Sequence, residues 1–132
     1  GKGLKLKEGN DVTIVATGHL VWEAIKASEK LAENGINAEI INIHTIKPLD
    51  EDIILKSVSK TGCLVSAEEH NIYGGLGESI SRLLVTKLPS PQEFVGTKDT
   101  FGESGPPSEL MNKYGLNSSS IYNSAVDVLK RK

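Results

Sequence analysis

Apolar, β-branched runs recur along the chain at residues 12–17, 38–43, 63–67 and 93–96. The first and third are short and mostly apolar, the signature of strands covered on both faces in a parallel sheet. Between them the hydrophobic period lengthens to that of helices. Residues 20–33 place Leu20, Val21, Ala24, Ile25, Leu31 and Ala32 on one stripe, with Lys26, Lys30 and Glu33 opposite and Gly35 as a C′ residue. A second helix starts at Asp50, whose side chain suits an N-cap. Glu51 and Asp52 complement the positive end of its dipole, Leu49 and Ile54 suit a hydrophobic staple, and Lys60 and Gly62 close it. A third carries Leu76, Ile80, Leu83 and Leu84 at i, i+4, i+7 and i+8. A short fourth is expected over 108–114, stopped by Gly115. The last begins near Ser119, with Ile121, Tyr122, Ala125, Val126 and Leu129 inward. Strands alternating with helices predict an α/β sandwich around a mostly parallel sheet.

The totals narrow the function classes. The chain has 132 residues, enough for one domain with a core of its own. Its 15 basic and 17 acidic residues give no surplus that would favour nucleic acid. A single cysteine excludes an internal disulfide and fits a reducing compartment. No apolar run approaches a membrane span, and no signal-peptide pattern is visible, so a cytoplasmic setting without membrane partners is expected. Gly1 in first position suggests a processed start, a tag remnant or an excised domain.

The stretch "AEEHNIYGGLGES", residues 67–79, holds the densest candidate chemistry. Glu68, Glu69 and His70 precede Gly74, Gly75 and Gly77, and a helical pattern follows. A dinucleotide fingerprint needs a third glycine where Ile80 stands, and the two carboxylates would repel a diphosphate. The competing reading is a tight strand-to-helix turn in which Gly74 or Gly75 takes positive φ and Gly77 lets the helix lie close on the sheet. His70 beside Glu69 could form an acid–base pair or an interface contact. The free N-terminus of the helix could attract an anion. Residues 102–105, Gly-Glu-Ser-Gly, glance at a nucleophile elbow but lack its final glycine, because position 106 is proline. Cys63 opens an apolar strand and reads as a small buried hydrophobe. No two histidines have ligand spacing on one helix, so no zinc site is expected. Trp22 falls on the polar side of its helix with Lys26, Glu29 and Glu33. It is either covered by a local loop or reserved for another surface.

The segments "NIHTIKPLDEDII", "CLVSAEEHNIYGGLGESI" and "FGESGPPSELMNKYGL" resemble, in order and over almost the whole chain, the C-terminal domain of transketolase. The likeness is greatest to forms in which that domain belongs to a separate, shorter subunit. Similar stretches occur in 2-oxoacid dehydrogenase beta subunits and in 1-deoxyxylulose-5-phosphate synthase. The resemblance implies one domain over 1–132, a three-layer αβα sandwich with a five-stranded mixed sheet. Residues 4–7 would supply an antiparallel edge strand. It also implies a limit. Transketolases hold thiamine diphosphate and Mg or Ca through a G-D-G…N-N motif and activate the coenzyme with an acid of the middle domain, and this resemblance places both outside the present chain. The complete enzyme would transfer two-carbon ketol units between phosphosugars of the pentose phosphate pathway. This domain would serve assembly with the N-terminal and middle domains, in a homodimer or heterotetramer, and would carry no catalytic, cofactor or metal residue. Glu68, Glu69, His70, Gly74, Gly75, Gly77 and Trp22 remain as a candidate interface or anion loop. An effector-binding regulatory module is the alternative from another class.

Overall fold

The computed structural model describes residues 2–71, 74–97, 112 and 115–132, with the side chains of His70 and Asn71 outside that description. Five strands, β1 (Leu4–Lys7), β2 (Val12–Ala16), β3 (Ala38–Asn42), β4 (Leu64–Asn71) and β5 (Gln92–Thr97), form one sheet in the order β1-β3-β2-β4-β5. The pairs β2·β3, β2·β4 and β4·β5 are parallel, and β1 runs antiparallel on the edge of β3. Helices α1 (Leu20–Glu33) and α4 (Ser118–Lys130) pack on one face, and α2 (Glu51–Thr61) and α3 (Leu76–Lys87) on the other. The expected three layers and mixed sheet are present. The short helix expected over 108–114 falls almost wholly outside the described residues.

Two cores result, because alternate strand residues face opposite layers. Ile14, Ile40 and Val65 join Leu20, Leu31, Ile121 and Ala125 on one side. Val15, Ile41 and Leu64 join Ile54, Ile80 and Leu84 on the other. One helical assignment shifts. Ala32 is exposed, and Ala27 and Ser28 are buried in its stead. The buried positions 20, 24, 27, 28 and 31 follow the helical period, and 32 has already turned past the sheet. Capping follows the sequence at α2, where the Asp50 carboxylate accepts from the Ile53 N–H and Gly62 closes the helix at φ 81°.

Thr13, Ser57, Thr61 and Glu39 are paired with one another or with neighbouring groups under the sheet. The Thr13 hydroxyl lies 2.7 Å from both the Ser57 and Thr61 hydroxyls, tying β2 to α2. Buried Glu39 accepts from the Gly9 N–H at 3.2 Å and from Lys60 Nζ at 2.5 Å. Lys60 also reaches Glu8, which Lys5 meets at 2.6 Å.

Hydrogen bonds from Lys5 and then Lys60 hold the Glu8 carboxyl down to about 2 from its ordinary 4.5. A depressed carboxyl stabilises the fold above its ordinary value and loses that contribution as pH falls toward the folded value. Glu8→Gln should therefore lower the urea midpoint at pH 6. The gap to the parent should close between pH 4.5 and 2; a gap constant with pH would exclude this source of stability.

Candidate functional site

The carboxyl edge of the sheet carries every residue singled out between 67 and 79. Glu68 and Glu69 are not in a loop, because β4 runs on through them to Asn71. Their adjacency in a strand sends the two side chains to opposite faces.

Glu68 turns toward α3 and is 2% exposed. Its Oε1 accepts from the Leu76 N–H at 2.8 Å and its Oε2 from the Gly77 N–H at 2.7 Å. The N-cap of α3 is Gly75, which has no side chain to cap with, and the strand supplies the carboxylate in its place. Gly74, at φ 81°, makes the turn, and its N–H donates to Glu78 Oε1 at 3.0 Å. Gly77 is there for close approach. A Cβ on it would stand 2.5 Å from the Phe94 ring and 2.8 Å from Ser66 Oγ. Gln92 completes the corner, its Nε2 donating to Gly77 O at 2.9 Å and to Ser66 Oγ at 3.2 Å.

Glu69 turns the other way, and its Oε1 accepts from the His19 N–H at 2.7 Å, at the start of α1. Helix α4 is held in the same manner. Asn117 caps its Ser120 N–H, and Glu23 of α1 accepts from the Ser118 N–H at 3.0 Å. Each of the four helices thus begins at this edge against a carboxylate: Glu69, Asp50, Glu68 and Glu23 in chain order. At α3 the Leu76 and Gly77 N–H groups, the donors an anion would need, are already engaged by the Glu68 carboxylate.

The remaining candidates do not converge with these. His70 belongs to β4 by its backbone, and its side chain lies outside the described residues. His19 and His44 are exposed. Burial pushes the Cys63 thiol upward, away from a reactive thiolate. Among the described residues no group of three or more His, Cys, Asp or Glu could hold a metal ion. No described helix is long and apolar enough to cross a membrane. Residues 102–105 lie outside the described residues.

Trp22 stands apart. It is 67% exposed and borders a groove of about 500 Å³ on the α1 face, lined also by Leu6, Val21, Ile25, Asn42 and His44. The Asn42 Oδ1 atom is buried without a hydrogen-bond partner among the described residues. The helical wheel had marked Trp22, but nothing in the sequence joined it to Leu6, Asn42 or His44. The Glu68 cap had one legible signal, a helix start at Gly75 with no capping side chain of its own.

The family model for the transketolase C-terminal domain matches residues 1–121. The chain is 46% identical over its full length to a 6-deoxy-6-sulfo-D-fructose transketolase subunit of Clostridium sp. (strain MSTE9). It is 43% identical to a putative transketolase C-terminal section of Methanocaldococcus jannaschii. It spans 41% of the length of each of these relatives. It is also 42% identical, over 88% of its length, to a 1-deoxy-D-xylulose-5-phosphate synthase of Desulforudis audaxviator, of which it covers 19%. Among solved structures, a split-gene transketolase described as an inactive β4 tetramer superposes with a TM-score of 0.93 at 39% identity. That match covers 98% of this chain and 42% of that one. A Pichia stipitis transketolase at 21% identity shares the fold with a TM-score of 0.69.

Glu68→Ala strips two N–H groups of their acceptor and should cost about 1–3 kcal/mol in urea unfolding. Gly77→Ala should cost a similar ~1–3 kcal/mol through overpacking against Phe94. Trp22 is the single tryptophan of the chain, so its emission should be red-shifted and readily quenched by iodide. A blue-shifted, shielded signal would show that the ring is covered locally.

Proposed function

Because the chain belongs to the transketolase C-terminal domain family, we propose that it is the assembly domain of a thiamine-dependent transketolase. The complete enzyme moves a two-carbon ketol unit between phosphosugars of the pentose phosphate pathway, in the cytoplasm, as a homodimer or heterotetramer. Its other domains hold thiamine diphosphate with Mg²⁺ or Ca²⁺, and the coenzyme supplies the carbanion chemistry there. This chain's own residues do not suit a metal diphosphate. The N–H groups of Leu76, Gly77 and His19 are each given to a glutamate, and Gly74 gives its own to Glu78. What these residues do is hold four helix starts rigidly at one edge and leave Trp22 uncovered.

The observation that carries the reading is this self-capped edge. Ligands of open α/β sheets bind at the carboxyl ends of the strands, against free helix donors. With those donors consumed, the same edge serves better as a shaped surface than as an effector pocket. A split subunit is favoured over a deoxyxylulose-phosphate synthase because the chain is 46% identical to a transketolase subunit over its full length and 42% identical to the synthase over 88%. The terminal anion of the sugar is a separate matter, since one relative is named for a sulfonated ketose.

Isothermal titration calorimetry of this 132-residue chain with thiamine diphosphate and Mg²⁺ should give only heats of dilution. Stoichiometric binding would overturn the assembly reading. Ketol transfer by the complete enzyme, assayed with xylulose 5-phosphate and with 6-deoxy-6-sulfofructose, then identifies the donor sugar.

A further inference from the structure

We propose that Asn34 and Gly35, the single Asn-Gly pair of the chain, form a site of self-modification to aspartate and isoaspartate, and that Tyr122 of α4 is the latch that holds it shut. The site lies apart from the carboxyl edge, at the far end of α1 where the chain turns into β3. The chemistry is intramolecular. The Gly35 backbone nitrogen gives its proton to hydroxide and attacks the Asn34 side-chain carbon Cγ. The Cγ–Nδ2 bond breaks, ammonia leaves with a proton taken from water, and a succinimide ring closes. Water then opens the ring at either carbonyl. The product is aspartate or an isoaspartate whose backbone is longer by one carbon. Glycine favours the attack because it has no Cβ to hinder the approach of its nitrogen.

Three observations show a reactive pair held in an unreactive arrangement. First, Asn34 and Gly35 are both exposed, and a Cβ on Gly35 would meet nothing within 4 Å, so water and hydroxide reach the reacting atoms. Second, both reacting groups are engaged elsewhere. Asn34 Nδ2 donates to Lys30 O at 3.1 Å and to the Tyr122 hydroxyl at 3.2 Å. The Gly35 N–H donates to Ala32 O at 3.0 Å. Ring closure needs the amide to swing off both acceptors and the N–H to leave Ala32. Third, the restraint spans two helices. Lys30 and Ala32 belong to α1 and stay with it, whereas Tyr122 belongs to α4, with Lys30 Nζ 4.7 Å from its ring centroid. Access of the Gly35 nitrogen to Cγ therefore depends on α4 lying against α1.

Modification would be felt beyond the turn. A carboxylate in place of the amide would face the Lys30 carbonyl at the negative end of α1. The extra backbone carbon of isoaspartate would shift the Ile36 N–H from Leu31 O and the Asn37 N–H from Asp11 Oδ2, the contacts that seat the start of β3 beside β2.

The test holds the 132-residue chain at mildly alkaline pH as the folded parent, as Tyr122→Phe and as the parent unfolded in urea. Peptide mass spectrometry follows the exchange of –NH2 for –OH at Asn34, with Asn117, which precedes Ser118, as the internal reference. Asn34 should convert slowly in the folded parent and fastest in urea. In Tyr122→Phe it should convert roughly two- to tenfold faster than in the parent, the range that loss of one hydrogen bond gives. Asn117 should keep its parent rate in that variant, at unchanged circular dichroism. Equal Asn34 rates in the parent and Tyr122→Phe would overturn the latch, as would equal acceleration of Asn34 and Asn117. Conversion of Asn34 no faster than that of Asn117 in urea would overturn the site itself.

Discussion

Four helices begin at one edge of the sheet, and the first turn of each presents N–H groups that the helix cannot satisfy. Three of the four start at residues unable to supply the cap unaided: α1 follows His19, whose side chain makes no cap, α3 follows Gly75, and α4 has Asn117 for only part of the task. The carboxylates come from elsewhere. Two neighbours in β4 divide the work because a strand sends consecutive side chains to opposite faces. Glu68 serves the lower layer and Glu69 the upper, so one dipeptide ties the start of α3 and the start of α1 to the same strand. The price is a buried Glu68 beside a half-buried Glu69 in the sheet, tolerated because each carboxylate accepts hydrogen bonds at a positive helix end.

That arrangement explains which parts of the fold could be read from the chain. The layer order was legible because β2, α1 and α3 follow their periods closely, with Val12 to Ala16 wholly buried and Leu76, Ile80, Leu83 and Leu84 inward. Asp50, Gly35 and Gly62 marked helix ends through local chemistry alone. The end of β4 was not legible, since Glu68-Glu69-His70 has the composition of a loop and stays in the sheet through acceptor contacts eight to fifty residues distant. Residues 4–7 alternate leucine with lysine and are half exposed, too weak a pattern to declare a strand. Only the family resemblance pointed to it, and pairing with β3 realises it.

The candidate site was legible in residue identity and not in role. Glu68, Glu69, Gly74 and Gly77 do meet at one corner, where the carboxylates act as caps and Gly77 as the point of closest approach to Phe94. Trp22 stood out on the helical wheel and is exposed as that placement requires. Its companions Leu6, Asn42 and His44 come from other elements, and no periodicity links them. Glu23, which caps α4 across 95 positions, is equally invisible to local reading.

A strand that grips a helix on each side behaves as a rivet through the three layers. Sliding β4 along its axis would break contacts above and below it at once, so the layers resist shear relative to one another. A slip of one helix layer would therefore have to give up the caps of the other layer as well.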